Sequence, residues 1–196
     1  MLGGTFDPPH VAHAIVAQDV VEGLELDRLL VVPAPDPPHR SFVLPAGTRL
    51  ALVRRLFEGC PRIEVSDLEF RREGPSYTVR TLETLRERHP GAELVLVIGA
   101  DQFAVLDTWH EHERLPDLAR IAVMRREGET PAPPDGMDPI EYIAVHVTRI
   151  DLSASRIRER LGAGKSIRFL VPESIRPAIE RAWRDRAANE PASRGC

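Results

Sequence analysis

The stretch GGTFDPPHVAH, residues 3–13, decides the fold expected for this chain. Its two glycines carry no side chains, so a ligand phosphate can closely approach the main chain there. The apolar run that begins at Val11 predicts a helix whose first-turn amides point toward the same space. His10 and His13 are spaced i, i+3 and therefore lie on one face of that first turn. A glycine pair that leads directly into a helix indicates a phosphate site in an α/β protein.

The two histidines suit phosphate chemistry. An imidazole beside a phosphate gains proton affinity from the negative charge and donates charge-assisted hydrogen bonds. The structural alternative is that His10 only caps the helix and that His13 packs against the sheet. Because the glycines and a helix N-terminus lie alongside, we expect both imidazoles to contact phosphate.

Apolar strands and amphipathic helices alternate along almost the whole chain. The clearest strand is ELVLVIGA, residues 93–100, which is apolar at consecutive positions, as strands of parallel sheets are. The alternation predicts a Rossmann-like, doubly wound α/β fold with a mostly parallel sheet and helices on both faces. Further strands are predicted at 28–34, 62–69, 120–126 and 142–147, and helices at 11–23, 48–58, 77–89, 153–161 and 172–187.

The length of 196 residues suits one well-packed domain. We expect a single domain over residues 1–186, with a small C-terminal helical part at about 153–186 and a disordered tail at 187–196. Only Met1 and Leu2 precede the glycines, too few to complete a strand of normal length.

Composition narrows the function classes. The formal net charge of −4 argues against broad binding to nucleic acid or to a membrane surface. The chain lacks an apolar run of the roughly 20 residues that a membrane helix needs, and its first residues do not resemble a signal peptide. We therefore expect a cytoplasmic protein. Cys60 and Cys196 have no metal-binding or redox spacing, so we expect neither thiol to be functional.

A second anion site is predicted at LSASRIRERL, residues 152–161. Ser153 occupies the position of a helix N-cap, where its hydroxyl and the following amides can hold an anion. Arg158 lies just over one turn further on, where its guanidinium can reach a bound phosphate. On these residues alone, a simple cap and a solvated arginine explain the pattern equally well.

Two proline-rich stretches, residues 33–47 and 127–139, interrupt the pattern and are predicted surface loops. The first contains His39 and Arg40 and follows a strand, and ligands of α/β sheets bind at the carboxyl ends of strands. It is as well placed to contact ligand as to face solvent. The second is expected only to connect two strands.

Five blocks together resemble a known family. The first, GGTFDPPHVAH, has neither the Lys of a Walker loop nor the G-x-G-x-x-G spacing. It resembles the signature of the H-x-G-H nucleotidyltransferase superfamily, and most closely that of the nicotinate-nucleotide adenylyltransferases. The family's order is also followed by PPHR, GPSYTVRTLETL, GADQFAVLDTWH and IDLSASRIRERL, at residues 37–40, 74–85, 99–110 and 150–161. Two departures from the family pattern stand out. Ala12 replaces the usual glycine, and only Met1 and Leu2 precede the glycines, where the family has a full buried strand. The resemblance therefore leads us to expect that the natural start lies upstream.

The resemblance implies adenylyl transfer from ATP to nicotinate mononucleotide, which gives deamido-NAD and pyrophosphate. It implies Mg²⁺ bound with ATP, without an organic cofactor or a protein metal site. The catalytic residues would be His10 and His13. ATP would be bound by Gly3, Gly4, Thr5, Phe6, His13, Arg40, Ser153, Ser155 and Arg158. Nicotinate mononucleotide would be bound by His39, Tyr77, Thr78, Asp101, Trp109 and His110.

Several roles within that set have a physical basis. Trp109, which otherwise would be a core residue, would stack on the pyridine ring. The amides of Tyr77 and Thr78, at a predicted helix N-terminus, suit the nicotinate carboxylate. Asp101 would bind ribose hydroxyls directly or through water.

Alternatives stay open at this point. The acceptor could be nicotinamide mononucleotide or phosphopantetheine, as in sibling adenylyltransferases, although the latter would not need GPSYTVRTL or the Trp109–His110 pair. A non-catalytic nucleotide-sensing protein is a candidate of another class. An NAD-dependent oxidoreductase fits worst, because the glycine pattern differs and no acidic ribose ligand follows the second strand. The sequence also leaves a homo-oligomer open.

Overall fold

In the part of the chain that the structure describes, six parallel strands form one sheet in the order β3-β2-β1-β4-β5-β6. The computed structural model describes residues 1–37, 43–125, 128, 130–134 and 140–189, with side chains up to residue 186. This strand order reverses between β1 and β4, which is the topological switch point of a doubly wound sheet. The strands are β1 Leu2–Gly4, β2 Leu29–Pro33, β3 Ile63–Val65, β4 Val95–Gly99, β5 Arg120–Arg125 and β6 Tyr142–His146. The predicted Rossmann-like fold is confirmed.

Seven α-helices are described, together with three short 3₁₀ segments. The first helix has the predicted bounds, and the other long helices begin and end within a few residues of the expected positions. The helices are α1 Val11–Gly23, α2 Ala46–Leu56, α3 Thr78–Arg88, α4 Ala100–Phe103, α5 Leu115–Leu118, α6 Ala154–Gly162 and α7 Arg176–Asn189. The 3₁₀ segments are Leu68–Arg71, Leu106–Thr108 and His112–Arg114.

The structure differs from the sequence-based expectation at three places. The glycine pair ends a short central strand, because Leu2 pairs with both Val31 and Val97 of the neighbouring strands. The predicted strand at 62–69 stops at Val65, and residues from Leu68 turn into a 3₁₀ segment. Between β4 and β5, where no helix was predicted, the chain forms four short helical segments.

The core lies on both faces of the sheet. One cluster of buried apolar residues includes Leu2, Val31 and Val97 from the central strands, together with Ile157 of α6 and Ile179 of α7. The C-terminal helices therefore pack into the same core as the first strand. The single-domain division at residue 186 and the tail stay predictions. Within the described part of the chain, every helix is too short or too polar to span a bilayer.

Candidate active site

Two adjoining cavities open at the carboxyl ends of β1 and β4, at the switch point where ligands of such sheets bind. The larger has a volume of about 980 Å³ and the smaller of about 220 Å³. They share the wall formed by residues 2–5 and Gly99. Of the predicted site residues, the larger cavity is lined by Gly3, Gly4, Thr5, Phe6, His10, His13, Asp101, Ser153, Ser155 and Arg158. The smaller is lined by Gly3, Gly4, Thr5, Tyr77, Thr78, Trp109 and His110.

The predicted phosphate corner has a packing requirement that the sequence does not show. Phe6 is buried, has a φ of +50°, and places its ring against Gly4. A Cβ added to Gly4 would lie 3.0 Å from the Phe6 ring, whereas one added to Gly3 would meet only Met1 Cε at 3.7 Å. Gly4 thus serves the packing of Phe6 as well as the approach of a ligand.

His10 and His13 are held against each other at the start of α1. Their ring centroids lie 3.7 Å apart in a stacked arrangement. The main-chain N–H of His10 donates to His13 Nδ1 over 3.1 Å. Because Nδ1 accepts this bond, neutral His13 carries its proton on Nε2. Nδ1 of His10 is buried without a hydrogen-bond partner among the described residues.

Burial controls the ionisation of this histidine pair. It lowers the pKa of His10 to about 4. The pKa of His13 lies well below its usual range because of burial first and of the neighbouring His10 second. The two rings are therefore neutral at pH 7, and His13 offers a neutral Nε2–H donor. The sequence predicts that the imidazoles gain proton affinity beside a phosphate. That effect requires a bound anion, and burial acts in the opposite direction.

One part of the expected anion site at α1 is wrong. The amide of Val11, the first residue of the helix, donates to the carbonyl of Leu170 over 3.2 Å. A segment of the C-terminal part therefore occupies the donor that was expected to face phosphate. The imidazoles of His10 and His13 line the larger cavity, whereas this first amide is already bonded within the protein.

The residues of the second predicted anion site lie at the start of α6. Ser153 is the N-cap, and its hydroxyl accepts a hydrogen bond from the amide of Arg156 over 3.2 Å. Arg158 donates to the carbonyl of Asp7 over 2.6 Å and to Oγ of Ser155 over 3.1 Å. The predicted arginine is thereby fixed beside the first loop, across the larger cavity from the glycines.

The smaller cavity holds the predicted pyridine-binding residues. The rings of Tyr77 and His110 stack with their centroids 4.1 Å apart. Trp109 is half-buried. It packs against a second cluster of buried apolar residues, which includes Ile98, Phe103 and Leu106. As the first residue of α3, Thr78 has no acceptor within the helix for its amide. The amide of Tyr77 instead donates to the carbonyl of Pro75 over 3.0 Å, so only one of the two predicted amides is available.

Asp101 lies where the two cavities meet. It lines the larger cavity, whereas its neighbour Gln102 lines both and donates to Asp101 Oδ2 over 3.1 Å. An added Cβ at Gly99 would lie 2.5 Å from Asp101 Oδ1. The glycine at the end of β4 therefore makes room for this carboxylate. His39 and Arg40, also predicted to bind ligand, lie outside the described residues.

Sequence reasoning missed three buried charged residues near the cavities: Asp7, Arg49 and Glu69. Glu69 lines the smaller cavity and accepts a hydrogen bond from Thr81 over 2.7 Å. Burial raises the pKa of the Glu69 carboxyl, while Thr81, Ser76 and Arg72 oppose that shift. A charged residue in an otherwise amphipathic pattern gives no signal that it is buried.

Comparison with known proteins identifies the family. The Cytidylyltransferase-like family matches residues 1–160. A protein of Exiguobacterium sibiricum named "Probable nicotinate-nucleotide adenylyltransferase" is 39% identical over 92% of this chain and 94% of its own. Proteins of the same name from Thermus thermophilus and Pseudomonas syringae are each 39% identical, over 92% and 98% of this chain and 95% and 96% of theirs.

Solved structures support the fold. The Plasmodium falciparum nicotinic acid mononucleotide adenylyltransferase complexed with NaAD matches with a TM-score of 0.73 and 19% identity, over 94% of this chain and 93% of that one. The same enzyme complexed with APC matches with a TM-score of 0.70 and 18% identity, over 94% and 92%. The resemblance expected from the five sequence blocks is confirmed. The chain belongs to the nicotinate-nucleotide adenylyltransferases, the nucleotidyltransferases of NAD biosynthesis.

Proposed function

We propose that the chain transfers the adenylyl group of ATP to nicotinate mononucleotide by holding ATP in the larger cavity and the mononucleotide in the smaller one. The observation that carries this division is the shared wall at residues 2–5 and Gly99. Two nucleotides seated on either side of that wall bring their phosphates together at the glycines, where adenylyl transfer must occur. The size difference agrees, since the larger cavity must hold a triphosphate.

The residues of the larger cavity support binding and stabilisation of phosphate charge. The nucleophile is a phosphate oxygen of the mononucleotide, which is already an anion at neutral pH, so the reaction needs no general base. It attacks the α-phosphorus of ATP and pyrophosphate leaves. His10 and His13 would donate hydrogen bonds to the α-phosphate, while Ser153, Ser155 and Arg158 would hold the departing phosphates. Positioning and charge stabilisation then supply the catalysis.

Enzymes of this family generally take ATP together with a divalent metal ion, and we propose Mg²⁺. The described residues contain no group of three or more His, Cys, Asp or Glu side chains that could hold a metal. The ion would therefore enter as part of the substrate, bound to the phosphates of ATP. Arg40 is proposed to screen the charge of the same phosphates. A cytoplasmic location and a homo-oligomeric state stay predictions.

The smaller cavity supports binding of the pyridine nucleotide. The half-buried Trp109 offers an indole face for stacking, and the free amide of Thr78 offers a donor for the nicotinate carboxylate. The positive end of α3 adds to that preference for an anion. Further donors around His110, and His39 in the preceding loop, would complete the site.

Substrate preference tests this function. We expect kcat/KM for nicotinate mononucleotide to exceed that for nicotinamide mononucleotide by at least about tenfold, because a carboxylate gains more than an amide from a helix N-terminus. Pyrophosphate release with ATP and Mg²⁺ measures both, and the two acceptors are matched in ribose and phosphate. Equal values would contradict the assigned carboxylate site. Pyrophosphate release without any acceptor, or with phosphopantetheine as the acceptor, would favour a different enzyme. If no acceptor led to pyrophosphate release, a nucleotide-sensing protein would be favoured.

Replacing Trp109 tests the seat of the pyridine ring. We expect W109A to raise KM for nicotinate mononucleotide by about tenfold or more, in line with the loss of one stacked base. KM for ATP should change by less than about threefold. Initial rates with one substrate saturating give both constants. An equal rise in the two constants would instead assign Trp109 to the core, against which it also packs.

A further inference from the structure

Arg49 of α2 is fully buried, and its guanidinium gathers main-chain carbonyls from three separate segments. Nη1 donates to Thr5 and to Ala34, each over 2.7 Å. Nη2 donates to Pro35 over 2.9 Å, and Nε donates to Leu44 over 3.1 Å. A buried cation is costly unless its donors are satisfied, so this arrangement fixes the positions of all four carbonyls.

Asp7 complements Arg49 from the other side of the same loops. Its carboxylate is buried and accepts hydrogen bonds from the amides of Val43 and Leu44. Leu44 therefore bonds to Asp7 through its amide and to Arg49 through its carbonyl. Burial lowers the pKa of Arg49, and the nearby charge of Asp7 partly opposes that effect.

Arg158 joins this pair to the larger cavity. It donates to the main-chain carbonyl of Asp7 over 2.6 Å, and its guanidinium lies 3.9 Å from the Asp7 carboxylate. Unlike Arg49, the Arg158 side chain is partly exposed, at 28%, and lines the cavity. Asp7 thus connects a buried arginine to one that faces the proposed triphosphate.

We propose that Arg49 and Asp7 are positioning residues. They hold Arg158 and the loop that follows β1, which contains Thr5, in the arrangement that binds ATP before ATP binds. This inference rests on the proposed function only in assigning the larger cavity to ATP. All of these contacts join groups of the protein itself, so none of them needs ATP as a partner. Donors that are fixed in advance lose less entropy and less reorganisation energy when the ligand binds.

A double-mutant cycle in ATP affinity tests the coupling. Calorimetry of Mg-ATP without acceptor is performed on wild type, R49K, R158K and R49K/R158K. Lysine keeps the charge but cannot reproduce the four-carbonyl arrangement or the fork of an arginine. We expect each single variant to bind about tenfold more weakly. The double variant should bind about 10- to 20-fold more weakly instead of the roughly 100-fold of independent sites.

The cycle has a matched control and a second route. Arg54 lies on the same helix in an exposed ion pair with Asp67, and R54K should bind Mg-ATP as wild type does. If R49K does not fold, D7N replaces it in the cycle, with the same expected non-additivity. Thermal unfolding of each variant shows that loss of affinity is not loss of folded protein.

Three results would overturn the proposal. These are additive losses in the cycle, wild-type ATP affinity in a folded R49K, and failure of both R49K and D7N to fold, which would assign the pair to stability alone. The proposed function is judged separately, by pyrophosphate release from wild type with nicotinate mononucleotide. If wild type bound ATP but released no pyrophosphate, the proposed adenylyl transfer would be refuted. The double-mutant cycle in ATP affinity would still test whether Arg49 and Asp7 position Arg158.

Discussion

H13A is expected to lower kcat by at least about 100-fold, with less than about threefold change in KM for ATP. The size is that of losing one donor to charge that develops in a transition state. The Nδ1 atom of His13 is occupied by the main chain of His10, so its Nε2–H is the group that faces the cavity. Alanine removes that donor and also the ring that stacks on His10.

The measurement is pyrophosphate release under saturating ATP and nicotinate mononucleotide. H89A is a matched control, because His89 caps the end of α3 and lies outside both cavities. Far-ultraviolet circular dichroism of H13A establishes that the variant is folded. Turnover of a folded H13A within about threefold of wild type would remove His13 from the chemistry.

The pH dependence of kcat/KM identifies the form of the donor in the free enzyme, because kcat/KM reports the ionisations of free enzyme and kcat those of the complex. Burial keeps the pKa of His13 well below its usual range, so the ring is neutral from pH 7 upward and retains its Nε2–H. We expect kcat/KM of wild type for ATP to stay constant within about twofold between pH 7 and 9. A tenfold fall per pH unit in that window would show that His13 acts as an imidazolium that loses its proton.

Periodicity predicted the long helices and the strands on either side of β1, but it could not predict the central strand β1 itself or the short helices between β4 and β5. The apolar pattern from Val11 marks the first helix, because one face of that helix meets the core. Leu2–Gly4 contains two glycines, which disfavour strands. It is a strand because β2 and β4 pair with it on both sides, and no local pattern records that pairing.

The candidate site divides in the same way. Residues that carry recognisable chemistry at a helix start, such as His13 and Ser153, were found from sequence. Arg49 was not, because in a helix of alternating apolar and basic residues it resembles a solvated side chain. Only the convergence of three loops shows why it is buried. Likewise, the amide of Val11 was expected to be free, and its distant partner Leu170 could not be inferred from either segment.

G4A is expected to lower the free energy of unfolding by about 2 kcal/mol, as overpacking of a filled core site does. Its new methyl group would lie 3.0 Å and 3.1 Å from two atoms of the Phe6 ring. Phe6 is 4% exposed and its backbone is already in the left-handed region, so neither the ring nor the loop has an easy way to move.

The same substitution should reduce kcat by about 30-fold. The Phe6 ring lies 4.9 Å from the His13 ring, so a displaced Phe6 moves the proposed catalytic donor away from the phosphate. Small misplacements of reacting groups have large kinetic costs. Urea unfolding and saturating turnover rates measure the two effects in one preparation.

Substitutions at two other glycines serve as controls for G4A. They separate the effect of overpacking against Phe6 from the effect of adding a methyl group. G47A, in α2, meets nothing within 4 Å, so it should raise the free energy of unfolding by up to about 1 kcal/mol and leave kcat unchanged. In G3A the added methyl makes only an ordinary contact with Met1 at 3.7 Å, so the free energy of unfolding should change by less than about 0.5 kcal/mol. If G4A proved as stable as G3A, Phe6 would not be the reason for glycine at position 4. If G4A were stable but still lost turnover, the reason for glycine at position 4 would instead be direct contact between its main chain and a phosphate.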